Sequence, residues 1–576
     1  MSGDRQGALS DAAVLAIIGC LLGVAGALWL WGGLAGALFG TGWPSVGVGQ
    51  LLGVLIRLPA RLSDPARAWP TVARARLPGA EGFYSALGLL AGGGGAVALI
   101  AGRAGAGRAG AGLRAGAGAS WARSGELRRL RRAGRSRRLR GRGERGGRLV
   151  LGRRGGRLLY AEHRHALVAF GPPQSGKSAG IAIPALLEWN GPAVASSIKT
   201  DLLSATQARR EALGEVLVFD PFGLAQTASH TWSPLHAATT WDGALEVAWR
   251  LASAGELDRR GVEGGDFWAV AAEQRLAPLL YAAAAGGVGM DTVVRWVHGQ
   301  GARELDETLA RITGEAQDDA RLAGAHAAYD AVRSFEAQAD RTRTSIEATA
   351  QTLLRAYRFQ RVVQSASSSQ ITADRLLDGT ATLYLIGDAK ASKLLRPLFL
   401  ALLGEIVDRA YERATLAGGA LPRPLLLCLD EAGNVAPLPH LAEIASTAPS
   451  HNIQLVTIFH DLAQARSRYG QQAETVVNSH RARMLLPGVA DLDTLRYFAG
   501  LIGEEETRDR THTTGAGGTT RSTSRRRRPL IAAEALRQLP DGHALLLYGR
   551  IAPTRLRLRR WFEDRRLRKL ARGGSS

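Results

Sequence analysis

The sequence predicts an α/β fold, a nucleotide-binding core built on a mostly parallel sheet. Three observations predict it. Gly171-Pro172-Pro173-Gln174-Ser175-Gly176-Lys177-Ser178 fits G-x-x-x-x-G-K-S, between an apolar strand at Ala166–Phe170 and a helix opening at Ser178–Ala182. A second apolar run, Pro424–Leu429, stops at Asp430-Glu431. Further strand-like runs, Ala193–Ile198, Val216–Phe219 and Ile453–Phe459, lead into polar residues, and Ala381–Ile386 and Ala544–Tyr548 complete a large, mostly parallel sheet. A continuous apolar run such as Pro424–Leu429 is what a strand buried on both sheet faces looks like.

The chemistry follows from the strand ends. Glycines let backbone N–H groups close around phosphates, Lys177 reaches the β- and γ-phosphates of ATP, and the Ser178 hydroxyl ligates Mg²⁺. Ligands of open α/β sheets bind at the carboxyl ends of the strands, where Asp430 and Glu431 fall. Asp430 is expected to hold Mg²⁺ and Glu431 to polarise the attacking water. His460, ending the Ile453–Phe459 run, is the positional candidate for sensing the γ-phosphate. Lys199-Thr200-Asp201 and Asp220-Pro221 place more polar groups at strand ends. Between about 240 and 363 strand-like runs vanish and Ala/Leu/Arg-rich patterns at helical spacing, such as Leu305, Leu309 and Ile312, predict an all-helical insertion.

Composition bounds the partners. The net charge of +22 and pI near 10.9 suit an anionic partner, nucleic acid or lipid. Nearly all of that charge is arginine, however, and an Arg/Ala/Gly bias also arises from genome composition. Cys20 and Cys428 lie in apolar runs without metal-site spacing, which excludes a disulfide framework and a zinc site.

No charged residue occurs between Asp11 and Arg57, and 12–38 is long enough for one bilayer span. A weaker, glycine-interrupted window at 82–102 is the second expected span. The dense arginines from Arg103 to Arg157 place that side in the cytoplasm by the positive-inside rule. The expected organisation is a two-helix membrane anchor (1–102), a basic Gly/Ala/Arg-rich linker (103–150), a motor domain (151–239 and 364–560), a helical insertion (240–363) and a basic tail (561–576). The run Arg525–Arg528, preceded by Gly/Thr/Ser residues, reads as part of a mobile basic loop able to track a phosphate backbone.

The order of these segments resembles the coupling proteins of type IV secretion and conjugation, the TraG/TraD class of DNA-transfer ATPases. The matching pieces are Gly171–Ser178, Ser197–Asp201, Phe219-Asp220-Pro221 followed by Trp232-Ser233-Pro234-Leu235, Asp266-Phe267-Trp268, Leu429–Ala432, Ala463-Gln464 ahead of Tyr469-Gly470, and Leu486-Pro487-Gly488. The resemblance implies a RecA-like motor, hexameric below the membrane, that receives a relaxase bound to single-stranded DNA and delivers it to the secretion channel on ATP hydrolysis. The family often carries Gln where this sequence has His460. An arginine from the neighbouring subunit is expected to complete each site, with Arg481, Arg483 and Arg496 as candidates. The alternatives are a receptor ATPase for protein effectors and an FtsK-type duplex DNA pump. The absence of a winged-helix-like module after Arg550 disfavours the pump.

Overall fold

A computed structural model describes residues 23–90, 118–131, 148–259, 265–515 and 518–574. Contacts divide the chain into two compact units, 1–116 and 117–576.

In the first unit a helix over 23–39 carries Trp31, whose indole Nε1 donates to the Phe83 carbonyl at 2.7 Å. Trp31 also meets the Trp69 and Phe83 rings edge-on. The stretch from about Trp43 to Ala80 contains the helix Val48–Arg57 and shorter turns. It folds because Leu51, Val54, Ala68 and Trp69 supply a buried face against Trp31. No described helix is long and apolar enough to cross a membrane. Of the two expected spans, residues 12–22 and 91–102 lie outside the described residues.

The second unit is built on an eleven-stranded sheet. In chain order the strands of this unit are β1 (Val150–Arg154), β2 (Arg157–Tyr160), β3 (Leu167–Phe170), β4 (Ala193–Ser197), β5 (Val216–Phe219), β6 (Thr382–Ile386), β7 (Leu425–Leu429), β8 (Ile453–Phe459), β9 (Ala482–Leu485), β10 (Glu504–Gly515), β11 (Gly518–Pro529), β12 (His543–Tyr548) and β13 (Ile551–Arg557). The sheet order is β2-β1-β13-β12-β9-β3-β8-β7-β4-β6-β5, and β10 pairs only with β11. From β9 to β5 every neighbouring pair is parallel; β12, β13, β1 and β2 add antiparallel strands at one side.

Every residue of β3, β4, β6, β7 and β8 is buried. Strand alternation sends Val168 and Phe170 into one core and Leu167 and Ala169 into the other, so both faces are covered as parallel sheets require. The helices from Trp241–Arg259 to Gln360–Ser365 share the first core with the sheet: Leu276, Leu280 and Trp296 belong to the same cluster as Phe170 and Leu217. Trp232 joins them. Its ring lies edge-on to Phe219 and its Nε1 donates to Glu405 Oε2 at 3.1 Å, which gives the Trp-Ser-Pro-Leu segment a structural task. On the opposite side Arg210 is buried without a carboxylate. It donates to the carbonyls of Trp189 (2.5 Å) and Gly191 (2.7 Å) and to Thr382 Oγ1 (2.6 Å), tying the turn before β4 to β6. Burial brings its guanidinium down to about 10.

Three expectations change. The linker is packed against the sheet over 118–131: Ala122, Leu127 and Leu130 are buried in the second core, and the Arg555 guanidinium sits 4.5 Å over Trp121. Apolar residues interspersed among arginines give it a buried stripe that its composition hides. The Arg525–Arg528 run is part of a strand, not a loop, because its threonine-rich flanks favour β structure and Arg528 meets Glu505 across the pair at 2.8 Å. The basic tail is a folded element. Helix Arg565–Ala571 buries Leu567 and Leu570, and Asp564 caps it while pairing with Arg559 and Arg153. Those two arginines, against the opposing effect of burial, hold the Asp564 carboxyl well below the usual carboxylate range.

Candidate active site

The phosphate loop begins where β3 ends, with the Gly171 amide bonded to the Phe459 carbonyl of β8. A side chain at Gly171 would fall 2.5 Å from Ser175 Oγ, so the first glycine is a packing requirement. Gln174 and Gly176 take left-handed backbone angles, φ +65° and +90°, which turn the chain sharply into the helix. That helix opens with a π turn, Ser178–Ala182, and continues as Ile183–Glu188. Lys177 is buried; its Nζ donates to the Gly171 carbonyl at 2.7 Å and lies 3.0 Å from His460 Nδ1.

The end of β7 meets this loop. Ser178 Oγ donates to Asp430 Oδ2 at 2.5 Å across 252 positions of sequence. Glu431 follows in a left-handed conformation, φ +57°, unusual for a residue with a side chain. Asn434 Nδ2 donates to its Oε2 at 2.9 Å, and His460 Nε2 lies 3.4 Å from the same oxygen. An ammonium at Nδ1 makes that nitrogen an acceptor and leaves N–H on Nε2, aimed at Glu431. β8 lies between β3 and β7, which is how His460 comes to bridge the lysine and the glutamate. The His460 amide is held by Gln464 Oε1 at 2.8 Å.

The electrostatics are set by burial of one ammonium beside two carboxylates. Burial lowers the Lys177 ammonium against the opposing pull of Glu431 and Asp430. Burial pushes Asp430 up to about 6, despite the Ser178 hydrogen bond and the Lys177 charge. Glu431 sits below its ordinary value because hydrogen bonds from His460 and Asn434 outweigh its burial. Asp430 Oδ1 and Ser175 Oγ are buried without a hydrogen-bond partner among the described residues. A hydroxyl beside a carboxylate with a spare oxygen suits an oxygen-seeking cation such as Mg²⁺, and the loop amides with Lys177 suit phosphate. Above them opens a cleft of ≈ 470 Å³, reaching Lys199 and Asp201 after β4 and Asp541, Arg560 and Phe562 from the C-terminal region.

A family model described as type IV secretory system conjugative DNA transfer matches residues 120–572. The chain belongs to this family. The conjugal transfer protein TraG of Escherichia coli is 23% identical over 362 residues, covering 59% of this chain and 55% of TraG. VirD4 of Agrobacterium fabrum is 23% identical over 426 residues, covering 71% of this chain and 60% of VirD4. The chain thus spans between about half and two thirds of the length of these curated relatives. Among solved structures, the plasmid coupling protein TrwB in complex with ADP and Mg²⁺ superposes with a TM-score of 0.55 at 16% identity, covering 77% of this chain and 94% of TrwB. An unbound monoclinic form of TrwB gives 0.53 at 18%, covering 69% and 85%. The likeness shows a shared fold, an α/β core with a mostly parallel sheet.

Within this member of the conjugative DNA-transfer family, Lys177, Ser178, Asp430, Glu431 and His460 converge at one sheet edge. Gly171, Pro172, Pro173, Gln174, Ser175 and Gly176 form the loop beneath the cleft, and Gly488 of the Leu486-Pro487-Gly488 segment packs beside Pro172. Two candidate trans arginines have other surroundings. Arg483 donates to the Val477 and Asn478 carbonyls, and Arg481 precedes β9, at the edge opposite the phosphate loop. Arg496 is exposed on helix Leu492–Ile502. Arg560 was not foreseen. It is the last residue of the expected motor segment, and no local motif marks it; the Trp561 amide bonded to the Ala179 carbonyl brings it to the loop.

The raised Asp430 carboxyl makes a stability prediction. Its folded value of about 6 exceeds its ordinary 3.8, so the metal-free fold retains a proton that the unfolded chain has lost between those values. The stabilisation is complete at low pH and disappears as pH rises through about 6. Asp430→Asn is therefore expected to stabilise the metal-free protein at pH 8, by up to about 3 kcal/mol, with little change at pH 4. Thermal melts in a chelator at the two pH values measure it; an unchanged or lower Tm at pH 8 refutes it.

Proposed function

We propose that this chain is a membrane-anchored ATPase that couples relaxase-bound single-stranded DNA to a type IV secretion channel and powers conjugative transfer. In this reading it works as a homo-hexamer at the cell membrane, with the 117–576 unit in the cytoplasm. The observation that carries the catalytic part is the meeting of Ser178 with Asp430 and of Lys177 with His460 and Glu431 at the shared end of β3, β8 and β7. Family membership supports the transfer role, and TrwB, which shares the fold, has been solved with ADP and Mg²⁺ and with a non-hydrolysable ATP analogue. The large apolar side chains on the surface of the first unit, with Ile56 79% and Val72 82% exposed, support contact with a lipid bilayer.

The residues then have distinct tasks. Backbone amides of the loop and Lys177 hold the phosphates, and Lys177 leaves the Gly171 carbonyl to do so. Ser178 Oγ and Asp430 hold the metal. When bound, Mg²⁺–ATP supplies the transferable phosphoryl group and neutralises the charge that develops on it. Glu431, ionised and oriented by Asn434, accepts a hydrogen bond from water at the mouth of the cleft. His460 links that carboxylate to Lys177, so movement of the ammonium toward phosphate changes what the imidazole can offer Glu431.

The purified full-length chain is expected to hydrolyse ATP only with Mg²⁺, and faster with single-stranded than with duplex DNA. Deleting its gene should abolish plasmid transfer in a mating assay. An ATPase indifferent to single-stranded DNA, together with unimpaired mating, would sink the assignment.

A further inference from the structure

We propose that the β10–β11 ribbon is a one-sided binding surface for the phosphate backbone of single-stranded nucleic acid. This rests on the DNA-cargo reading and gives that cargo a place on the chain. The pairing register carries it. Arg508 stands opposite Arg525, Arg510 opposite Thr523, His512 opposite Arg521 and Glu506 opposite Arg527. Successive strand residues belong to opposite faces, so one face collects Arg508, Arg510, Arg521, Arg525 and Arg527 against Glu504 and Glu506. The other holds Arg526 and Arg528 against Glu505 and Asp509, and is otherwise Thr, Ser and Gly. One face is strongly positive and the other neutral.

The two glutamates of the basic face lie at the root of the ribbon, where Arg527 comes within 3.9 Å of Glu506. Beyond them the charged positions of that face are all basic. In the register Arg508 stands directly across from Arg525, so this face carries arginine in both strands, and a polyanion is the counter-charge that suits it. Each column repeats about every 6.8 Å along a ribbon roughly 40 Å long, a track rather than a point site.

The composition separates nucleic acid from membrane. From 504 to 529 there is no Trp, Tyr, Phe, Leu, Ile, Val or Met. An arm that enters a lipid interface presents such residues, and so does a base-stacking platform. What remains is contact with phosphates, tolerant of sequence. The root is fixed to the motor: the Ala119 amide bonds to the Glu504 carbonyl at 2.5 Å and Leu530 to Gly503 at 3.1 Å.

Two double variants of the full-length chain remove the same charge from interleaved positions: Arg525→Gln with Arg527→Gln on the basic face, and Arg526→Gln with Arg528→Gln on the neutral one. Binding of a fluorescent oligothymidylate is followed by anisotropy over a salt series, with thermal melts to verify folding. Loss of two phosphate contacts should reduce the slope of log K against log salt by about 1.4 and weaken binding roughly 20-fold at 0.1 M salt for the basic-face variant. The neutral-face variant should stay within about twofold of wild type. Because Arg528 also pairs with Glu505, Arg508→Gln with Arg525→Gln serves as a second basic-face variant and should behave like the first. Equal losses from both faces, or none from the basic face, overturn the ribbon while leaving the DNA-cargo reading intact. A wild-type chain that ignores the oligonucleotide overturns both. Loss of binding to phosphatidylglycerol vesicles, with oligonucleotide binding retained, overturns the ribbon in favour of a lipid contact.

Discussion

Glu431→Gln should leave nucleotide binding near wild type and reduce ATP hydrolysis by roughly 10²–10⁴-fold, the range set by a positioned general base. The substitution keeps shape and volume, and a Gln carbonyl oxygen still accepts from Asn434 Nδ2, now 2.9 Å from the carboxylate. It removes the negative charge that hydrogen bonds from His460 and Asn434 stabilise against burial. The left-handed backbone at φ +57° costs about 1–3 kcal/mol wherever a side chain is present, and Gln bears the same cost as Glu. Loss of rate therefore reports chemistry rather than refolding. Binding of a fluorescent ATP analogue and release of phosphate measure the two arms. In a mating assay the variant should bind nucleotide and fail to transfer. Hydrolysis within a few-fold of wild type would remove Glu431 from the mechanism.

Lys177→Ala should impair both arms. The buried ammonium lies beneath the cleft, 2.7 Å from the Gly171 carbonyl and 3.0 Å from His460, so its charge acts on bound phosphate as well as on the transition state. Loss of one such electrostatic stabiliser costs about 10²–10³ in rate, here with weakened nucleotide binding in addition. The split between the variants is diagnostic: Glu431→Gln lowers the rate alone, Lys177→Ala lowers rate and affinity. Because burial disfavours the ammonium, the alanine protein should melt no lower than wild type without nucleotide and should gain less thermal stability when Mg²⁺–ATP is added. Unchanged plasmid transfer would contradict the motor role altogether.

Much of the site was legible because its chemistry is local. Gly171–Ser178 carries its own turn geometry, and Asp430-Glu431 and His460 announce themselves by ending apolar runs. The ribbon was misread for a reason of the same kind: Gly, Thr, Ser and Arg are loop-like residues when counted. Pairing of Arg528 with Glu505, 23 positions away, makes them a strand. Asn434 and Gln464 matter only through the oxygens and amides they meet, which no spacing rule reveals.

The sequence by itself determined the α/β class, the phosphate loop and the acidic strand end, because each is encoded in consecutive residues whose burial period and backbone needs are short-range. Only the tertiary structure decided that β8 enters between β3 and β7, that His460 therefore bridges Lys177 and Glu431, and that the C-terminal segment returns to set Arg560 beside the loop. Those facts depend on strand order and on contacts between residues hundreds of positions apart. Such contacts are selected by the packing of the whole sheet and leave no mark in any short window of the chain.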